Sequence, residues 1–403
     1  MKLPAIAVLL ALASPAHALT FDQALLAGAQ LPAVQALQRA AALRARLDGD
    51  LPLQTGNPEL NMAAGPSTPL PSTALQLSVV QTWNLADLGK LRRLAAQSER
   101  HVLGAELRLV LLEHRLAAAQ AWLALWTAEK SLEVAEKELA LAVALADSAT
   151  RAVAKNVLSA GDAAEAKTFA VEAQLTVLHM DGERRHAVAQ LARALGGDAA
   201  VLQTCEGPLP RPTLPAPNDW RISRGDVQAL PQVALHRLQA AADQARALET
   251  AAQHGSELSV GGALQRDPQG SIAALAVVNV RWALFERGQR ARAQALEQAE
   301  RQQGQAETAA LVVQVDLELA RHEVEHTQRC EQALVDQLMP ALQAQVAARE
   351  LAMKRGVGLL PDVLRARRMR TEAERRMIQA QSERAWAEVK AWLLLAAQQA
   401  GEP

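Results

Sequence analysis

Trp83-Asn84-Leu85-Ala86-Asp87-Leu88-Gly89 and Trp282-Ala283-Leu284-Phe285-Glu286-Arg287-Gly288 are one junction written twice. Trp83, Leu85, Asp87 and Gly89 recur as Trp282, Leu284, Glu286 and Gly288 at a constant offset of 199 residues. Before each junction the apolar residues alternate, which is the period of a strand. After it they repeat every three to four residues, which is the period of a helix. A strand-to-helix switch repeated at one offset points to two tandem copies of a mixed unit.

Other anchors agree. Leu31-Pro32-Ala33-Val34 recurs as Leu230-Pro231-Gln232-Val233, again at 199. Lys155-Asn156-Val157, Asp162 and Ala166 recur as Arg355-Gly356-Val357, Asp362 and Ala366, at 200. Pro208, Pro210, Pro212, Pro215 and Pro217 lie between the copies, a density that favours an extended linker over a helix. The expected organisation is a leader at 1–18, a first repeat at 19–205, a linker at 206–218 and a second repeat at 219–403. Each repeat reads as a helix (20–48 and 224–252), two strands (57–66 with 74–84; 256–265 with 271–283), a long helix (88–154; 287–353) and a return helix (160–195; 361–398). Gly196-Gly197 supplies the first return helix with a C-terminal stop.

The long helices approach 70 residues, roughly 100 Å at 1.5 Å per residue. The first carries two apolar seams. Val102, Ala105, Leu109, Leu112, Leu116, Ala119, Leu123 and Trp126 form one. Leu103, Leu107, Val110, Ala117, Ala121 and Ala124 form another, about 100° round. Two seams suit a helix with a neighbour on each side, as in a closed ring. They also suit one broad apolar face in a bundle.

The strands have about ten residues, the length that crosses a bilayer when tilted. Leu60, Met62 and Ala64 alternate with Glu59, Asn61 and Ala63. Leu75, Leu77, Val79 and Trp83 alternate with Gln76, Ser78 and Thr82. Leu258, Val260 and Leu264 alternate with Glu257, Ser259 and Gln265. Ile272, Val278, Val280 and Trp282 alternate with Ser271, Asn279 and Arg281. Trp83 and Trp282 fall on the apolar side at the helix-proximal end, where a membrane-interface girdle belongs. A small soluble sheet with one wet face gives the same alternation. Four strands cannot close a barrel, and lipid admits no open edge. A membrane reading therefore requires several chains, and three would give twelve strands.

Bulk composition narrows the function. The chain has 403 residues, 50% of them hydrophobic, a formal net charge of −1, no Tyr, three Phe and seven Trp. That balance gives no electrostatic footprint for nucleic acid. So few rings suit close-packed Ala/Leu helices better than a large enzyme core. Lys2, the apolar run Leu3–Ala13 and Ala16-His17-Ala18 read as a cleavable export signal. The residue after Ala18 is not Cys, so no lipid anchor is expected. No stretch reaches 18 consecutive apolar residues, so no transmembrane helix is expected. Cys205 and Cys330 are too few for a disulfide framework, and their pairing is left open.

With the two-fold repeat, the opening Leu19-Thr20-Phe21-Asp22-Gln23-Ala24-Leu25 and the break segments bearing Asp162 and Asp362, the chain resembles TolC-type outer-membrane efflux proteins over its whole mature length. Asn57-Pro58-Glu59-Leu60, and the run from Gln81 through Leu88-Gly89-Lys90 to Arg92-Arg93, resemble the CzcC-like components of heavy-metal resistance-nodulation-division exporters. The resemblance implies a mainly α protein with a small β part. It implies a homotrimer with a twelve-stranded barrel in outer-membrane lipid and a tunnel of long helices through the periplasm. It implies two partners, a periplasmic adaptor and an inner-membrane pump, and a passive exit duct with no cofactor and no catalytic residue. The strands are poor in aromatics and their connections, Gly65–Thr73 and Arg266–Gly270, are short.

The helix breaks are the candidate functional positions. Gly356 and Asn156 suit a backbone that must enter positive φ. Ser159 with Asp162 reads as a helix N-cap pair, and Asp362 follows Pro361 in a first turn. By resemblance, Lys155, Asn156, Val157, Ser159, Arg355, Gly356, Val357 and Leu359 form the periplasmic tip that meets the adaptor. His322-Glu323-Val324-Glu325-His326 matches H-E-x-x-H, a zinc-peptidase signature. It lies inside an expected uninterrupted helix with no third ligand at a characteristic spacing, so no metal is expected there. Two other readings stay open: a soluble periplasmic coiled-coil scaffold, and a zinc peptidase on His322, Glu323 and His326.

Overall fold

A computed structural model describes residues 17–49, 58–67, 72–197, 202–215, 224–266, 271–282, 285 and 288–399. Most of the expected leader, Asn57 and the end of the Pro-rich linker lie outside them. The chain is mostly helical with a small sheet part. It forms two compact units, and each draws on both halves of the sequence. One comprises residues up to Val34, Val110–Asp226 and Val313 onward; the other comprises Gln35–Leu109 and Val227–Val312.

In chain order the elements are β1 (His17–Leu19), α1 (Phe21–Gly28), α2 (Pro32–Gly49), β2 (Glu59–Ser67), β3 (Ser72–Asn84), α3 (Leu88–Ala154), α4 (Ala160–Leu195) and β4 (Leu202–Cys205). Then follow α5 (Arg224–Ala229), α6 (Pro231–Gln253), β5 (Glu257–Arg266), β6 (Ile272–Arg281), α7 (Gln289–Ala333), a π-helical turn (Leu334–Leu338), α8 (Met339–Lys354) and α9 (Leu360–Gln399).

The opening helix expected over 20–48 is two helices. Thr20 caps α1 in a capping box with Gln23. The chain then stops short of Pro32, because a residue before proline is pushed out of the helical region. The second half repeats this: Leu230 is extended (φ −62°, ψ 139°) ahead of Pro231. The second long helix is also interrupted, at Leu334–Leu338. Pro340 stands just beyond, within the first two positions of α8. Its ring cannot donate to the carbonyl one turn back and would strike it, so the backbone loosens there.

The first unit has an Ala-rich core centred on Trp122, fully buried among Leu125, Leu191 and Ala385. Its indole Nε1 donates to the carbonyl of Leu19 at 2.8 Å, and Phe21 meets its ring edge-on at 5.4 Å. β1 pairs parallel with β4, which brings Leu19 beside Cys205. Alanines let helices approach closely, so packing density replaces large side chains here. Arg211, from the Pro-rich stretch, reaches Glu331 (3.3 Å) and Glu388 (3.4 Å). Arg384 completes the set at 2.8 and 2.7 Å. Both carboxylates are buried, and buried charge persists only when paired in this way.

The second unit contains one antiparallel sheet, in the order β2-β3-β5-β6. Its register aligns the alternation seen in the sequence. Leu60 faces Val79, Met62 faces Leu77, Leu77 faces Leu264 and Trp83 faces Leu258. Leu258 faces Val280, and Val260 faces Val278. One face is therefore apolar across all four strands, while Asn61, Ser78, Gln265 and Asn279 lie on the other. The long helices following the hairpins each open from a positive-φ residue, Asp87 (φ 54°) and Gly288 (φ 68°). Structurally, Gly288 thus corresponds to Asp87, and Gly89 lies inside α3. A Cβ on Gly288 would sit 2.6 Å from the His254 ring, so only glycine fits there.

Candidate functional site: helix breaks and an exposed apolar sheet

The two breaks have the same backbone. Asn156 (φ 56°) and Gly356 (φ 78°) are left-handed. The Val157 N–H donates to the Ala152 carbonyl at 2.9 Å, and the Val357 N–H donates to Ala352 at 3.0 Å. Asn156 and Gly356 donate to Val153 and Met353 at 2.9 and 3.0 Å. This six-to-one, five-to-two pattern is a Schellman motif, which ends a helix by satisfying its last carbonyls. Ser159 then caps α4. Its Oγ accepts from Asp162 N–H at 3.1 Å, and the Asp162 carboxylate accepts from Ser159 N–H at 3.2 Å. Asp362, in the first turn of α9, pairs with Arg349 at 3.5 Å.

A Schellman motif normally buries the apolar residue that follows it. Here Val157 is 72% exposed, Val357 82% and Leu359 67%. Lys155, Asn156, Ser159, Arg355 and Gly356 are exposed as well. The structure brings the two breaks together. Leu158 and Met353, one from each break, pack on the same cluster as Ala163, Phe169, Leu360 and Leu364. The result is an end with a buried apolar anchor and exposed apolar and basic residues.

The sheet is the other candidate surface. Leu60, Met62, Val79, Val260, Leu264, Ile272, Val278, Val280 and Trp282 are exposed on its apolar face. Trp83 lies beside Leu258 on β3, and Trp282 directly follows β6, so both sit at one end of that face. Among the described residues, β2 and β6 are hydrogen-bonded on one side only. Among the described residues no helix is long and apolar enough to cross a membrane.

His322 and His326 stack with ring centroids 6.4 Å apart. Glu323, which a peptidase would use as its base, instead pairs with Lys390 at 3.1 Å. Among the described residues no three His, Cys, Asp or Glu converge as a metal-binding group. Elsewhere in the helical unit, one buried contact shifts both of its partners. Burial pushes the Glu129 carboxyl up, against the lowering effect of the Cys205 N–H donated to it at 3.2 Å. Burial also pushes the Cys205 thiol up, with the Glu129 charge adding to the effect.

Neither a family model nor a curated protein matches the sequence. Solved structures do match. The outer-membrane channel OprN superposes with a TM-score of 0.75 at 17% identity, over 94% of this chain and 90% of that one. The fold is that of the outer-membrane channels. The outer membrane protein VceC of Vibrio cholerae matches at 0.71 and 17% identity, covering 94% of this chain and 95% of that one. CusC, whose structures describe transmembrane channel formation, matches at 0.71 and 16%, covering 93% and 91%.

Proposed function

We propose that this chain is the exit duct of a tripartite efflux system in the outer membrane of a Gram-negative cell. Its two tandem repeats form a homotrimer with a twelve-stranded barrel. The observation that carries the reading is the sheet. An apolar face across four strands is left exposed and, among the described residues, the edge strands β2 and β6 are each hydrogen-bonded on one side only. Water penalises that face and lipid penalises those edges. Three copies in a ring remove both penalties. Neighbouring strands in β2-β3-β5-β6 run antiparallel, so β2 and β6 point opposite ways. β6 of one copy then meets β2 of the next with the alternation preserved. Trp83 and Trp282 form the interfacial girdle.

The breaks at Asn156 and Gly356 are the adaptor-facing end. Exposed Val157, Val357 and Leu359 supply apolar contact, and Lys155 and Arg355 set the register. The pump is an inner-membrane exporter of the resistance-nodulation-division type, and the cargo is heavy-metal cations. The cargo assignment rests on the Asn57–Leu60 and Gln81–Arg93 motifs. The duct binds no cofactor and makes no bonds.

Two measurements test the proposal. Light scattering in detergent should return a trimer, and a stable monomer would overturn it. Cysteines at Val157 or Val357, in a chain lacking its native thiols, should cross-link to the cognate adaptor. Cross-links arising only from Ser67 or Pro268 would mean that the orientation is inverted.

A further inference from the structure

Three side chains on α7 have no role in the function proposed above. His322, His326 and Cys330 follow one another at four-residue spacing, and all three are exposed. Such spacing puts them in a row on one helix face. The Sγ of Cys330 lies 3.6 Å from Nε2 of His326. Zinc holds a histidine nitrogen at about 2.0–2.1 Å and a thiolate sulfur at about 2.3 Å in tetrahedral geometry, which sets the two donors about 3.6 Å apart. The pair is spaced as a chelate. A plain S–H to imidazole hydrogen bond uses the same two atoms, and the two readings differ in what they predict for an added metal.

The neighbouring groups leave the pair open. Glu323 is drawn to Lys390 and Glu325 to Arg329, so the adjacent carboxylates have partners. Cys330 is a free thiol. His322 and Cys330 are eight residues apart, about 12 Å along the axis, too far to share one ion. His326 is therefore the common donor, with Cys330 on one side and the stacked His322 on the other. Thiolate is the softer choice, so soft cations take the cysteine side.

We propose that His326 and Cys330 form a two-donor site for one soft or borderline cation: zinc, cadmium or copper(I). Two coordination positions remain open to water or to a passing ligand. Binding forms metal–nitrogen and metal–sulfur bonds, and the thiol proton leaves to the solvent. The site lies within one helix and does not depend on the export reading.

The test is cadmium titration of the reduced, full-length protein carrying Cys205→Ser, which leaves Cys330 as its thiol. Formation of the thiolate–cadmium bond is read by its ultraviolet charge-transfer band. One cadmium per chain should bind with that band. Cys330→Ser should abolish the band. His326→Gln should weaken binding by at least about tenfold, the scale on which metal-site partners act. His322→Gln should change affinity by less than about twofold, well below that scale. Circular dichroism confirms that each exposed-face variant is folded. The chain with Cys205 intact should give the same stoichiometry, because that thiol is held protonated by burial. Equal affinity in His326→Gln would mean adventitious binding to a lone thiol and would overturn the proposal. So would the absence of saturable binding.

Discussion

Val278→Arg and Asn279→Arg place the same charge on adjacent residues of β6 and should have opposite consequences. Val278 faces Val260 on the apolar side and is 65% exposed. Asn279 faces Ser259 on the other. In the proposed barrel Trp282 would mark one interface, and Val278 lies four residues before it, about 13 Å along the strand. With barrel strands tilted about 35–45°, that is about 10 Å of depth, close to the middle of an apolar band about 25 Å tall. A cationic side chain there costs about 2–4 kcal/mol per chain, and three chains in one ring multiply it to about 6–12 kcal/mol. Asn279→Arg faces the barrel interior and should cost little. In a soluble sheet, both would be surface changes within about 0.5 kcal/mol of neutral. The assay is the yield of folded trimer in outer-membrane fractions, together with the urea midpoint in lipid vesicles. Val278→Arg should lower both sharply, and Asn279→Arg neither. Equal behaviour of the two variants would refute the lipid-facing assignment.

Gly356→Val should add about 1–2 kcal/mol of backbone strain at the second break; no atom lies within 4 Å of its new Cβ, so the effect is conformational and not steric. The variant should reach the outer membrane as a trimer and lose export, read by cargo accumulation in cells. Glu129→Gln should change the pH dependence of stability. The folded carboxyl is raised above 4.5 by burial, so the folded state binds more protons just above that pH, and wild-type stability falls as pH rises through the window. Denaturant midpoints of the variant should lack that fall.

Much of the fold was legible because its strongest signals are long and periodic. The bounds of α3 and α4 follow from an unbroken helical period closed by Ser159 and Gly196, and both closures are local. The sheet face was legible because alternation survives in all four strands. What escaped was long-range or short. β1 and β4 have three and four residues, too few for a period, and they pair across the whole first repeat. Trp122, the centre of the helical core, lies one residue off the expected seam through Leu123. Its role depends on the Leu19 carbonyl, far away in sequence. Arg211 carries no pattern within a proline-rich stretch, yet it joins two buried carboxylates. At the candidate site, Asn156 and Gly356 were readable because few residues tolerate their backbone. The exposure of Val157 and Val357 was not, because a Schellman motif usually hides that position.

The two breaks also show how repeated halves diverge without losing a shared geometry. After the left-handed residue, the first break places Leu158, whose half-buried side chain packs on the cluster that includes Ala163 and Phe169. The second places Gly358 at that position. A Cβ there would lie 2.7 Å from the Met353 nitrogen and 2.9 Å from the Ala352 carbonyl carbon. The close approach admits an extra bond, with the Gly358 N–H donating to the Ala352 carbonyl at 3.1 Å beside that of Val357. The first break sets a half-buried leucine there, whereas the second, with Met353 packed on the same cluster, adds a backbone bond. Fully burying a leucine is worth about 1.5–3 kcal/mol, of which half-buried Leu158 takes only part, and one added hydrogen bond nets about 0.5–1.5 kcal/mol. The two devices are therefore of similar size, and the breaks keep one geometry by different means. The departure from the repeat at Leu158 and Gly358 thus leaves the shared left-handed turn unchanged.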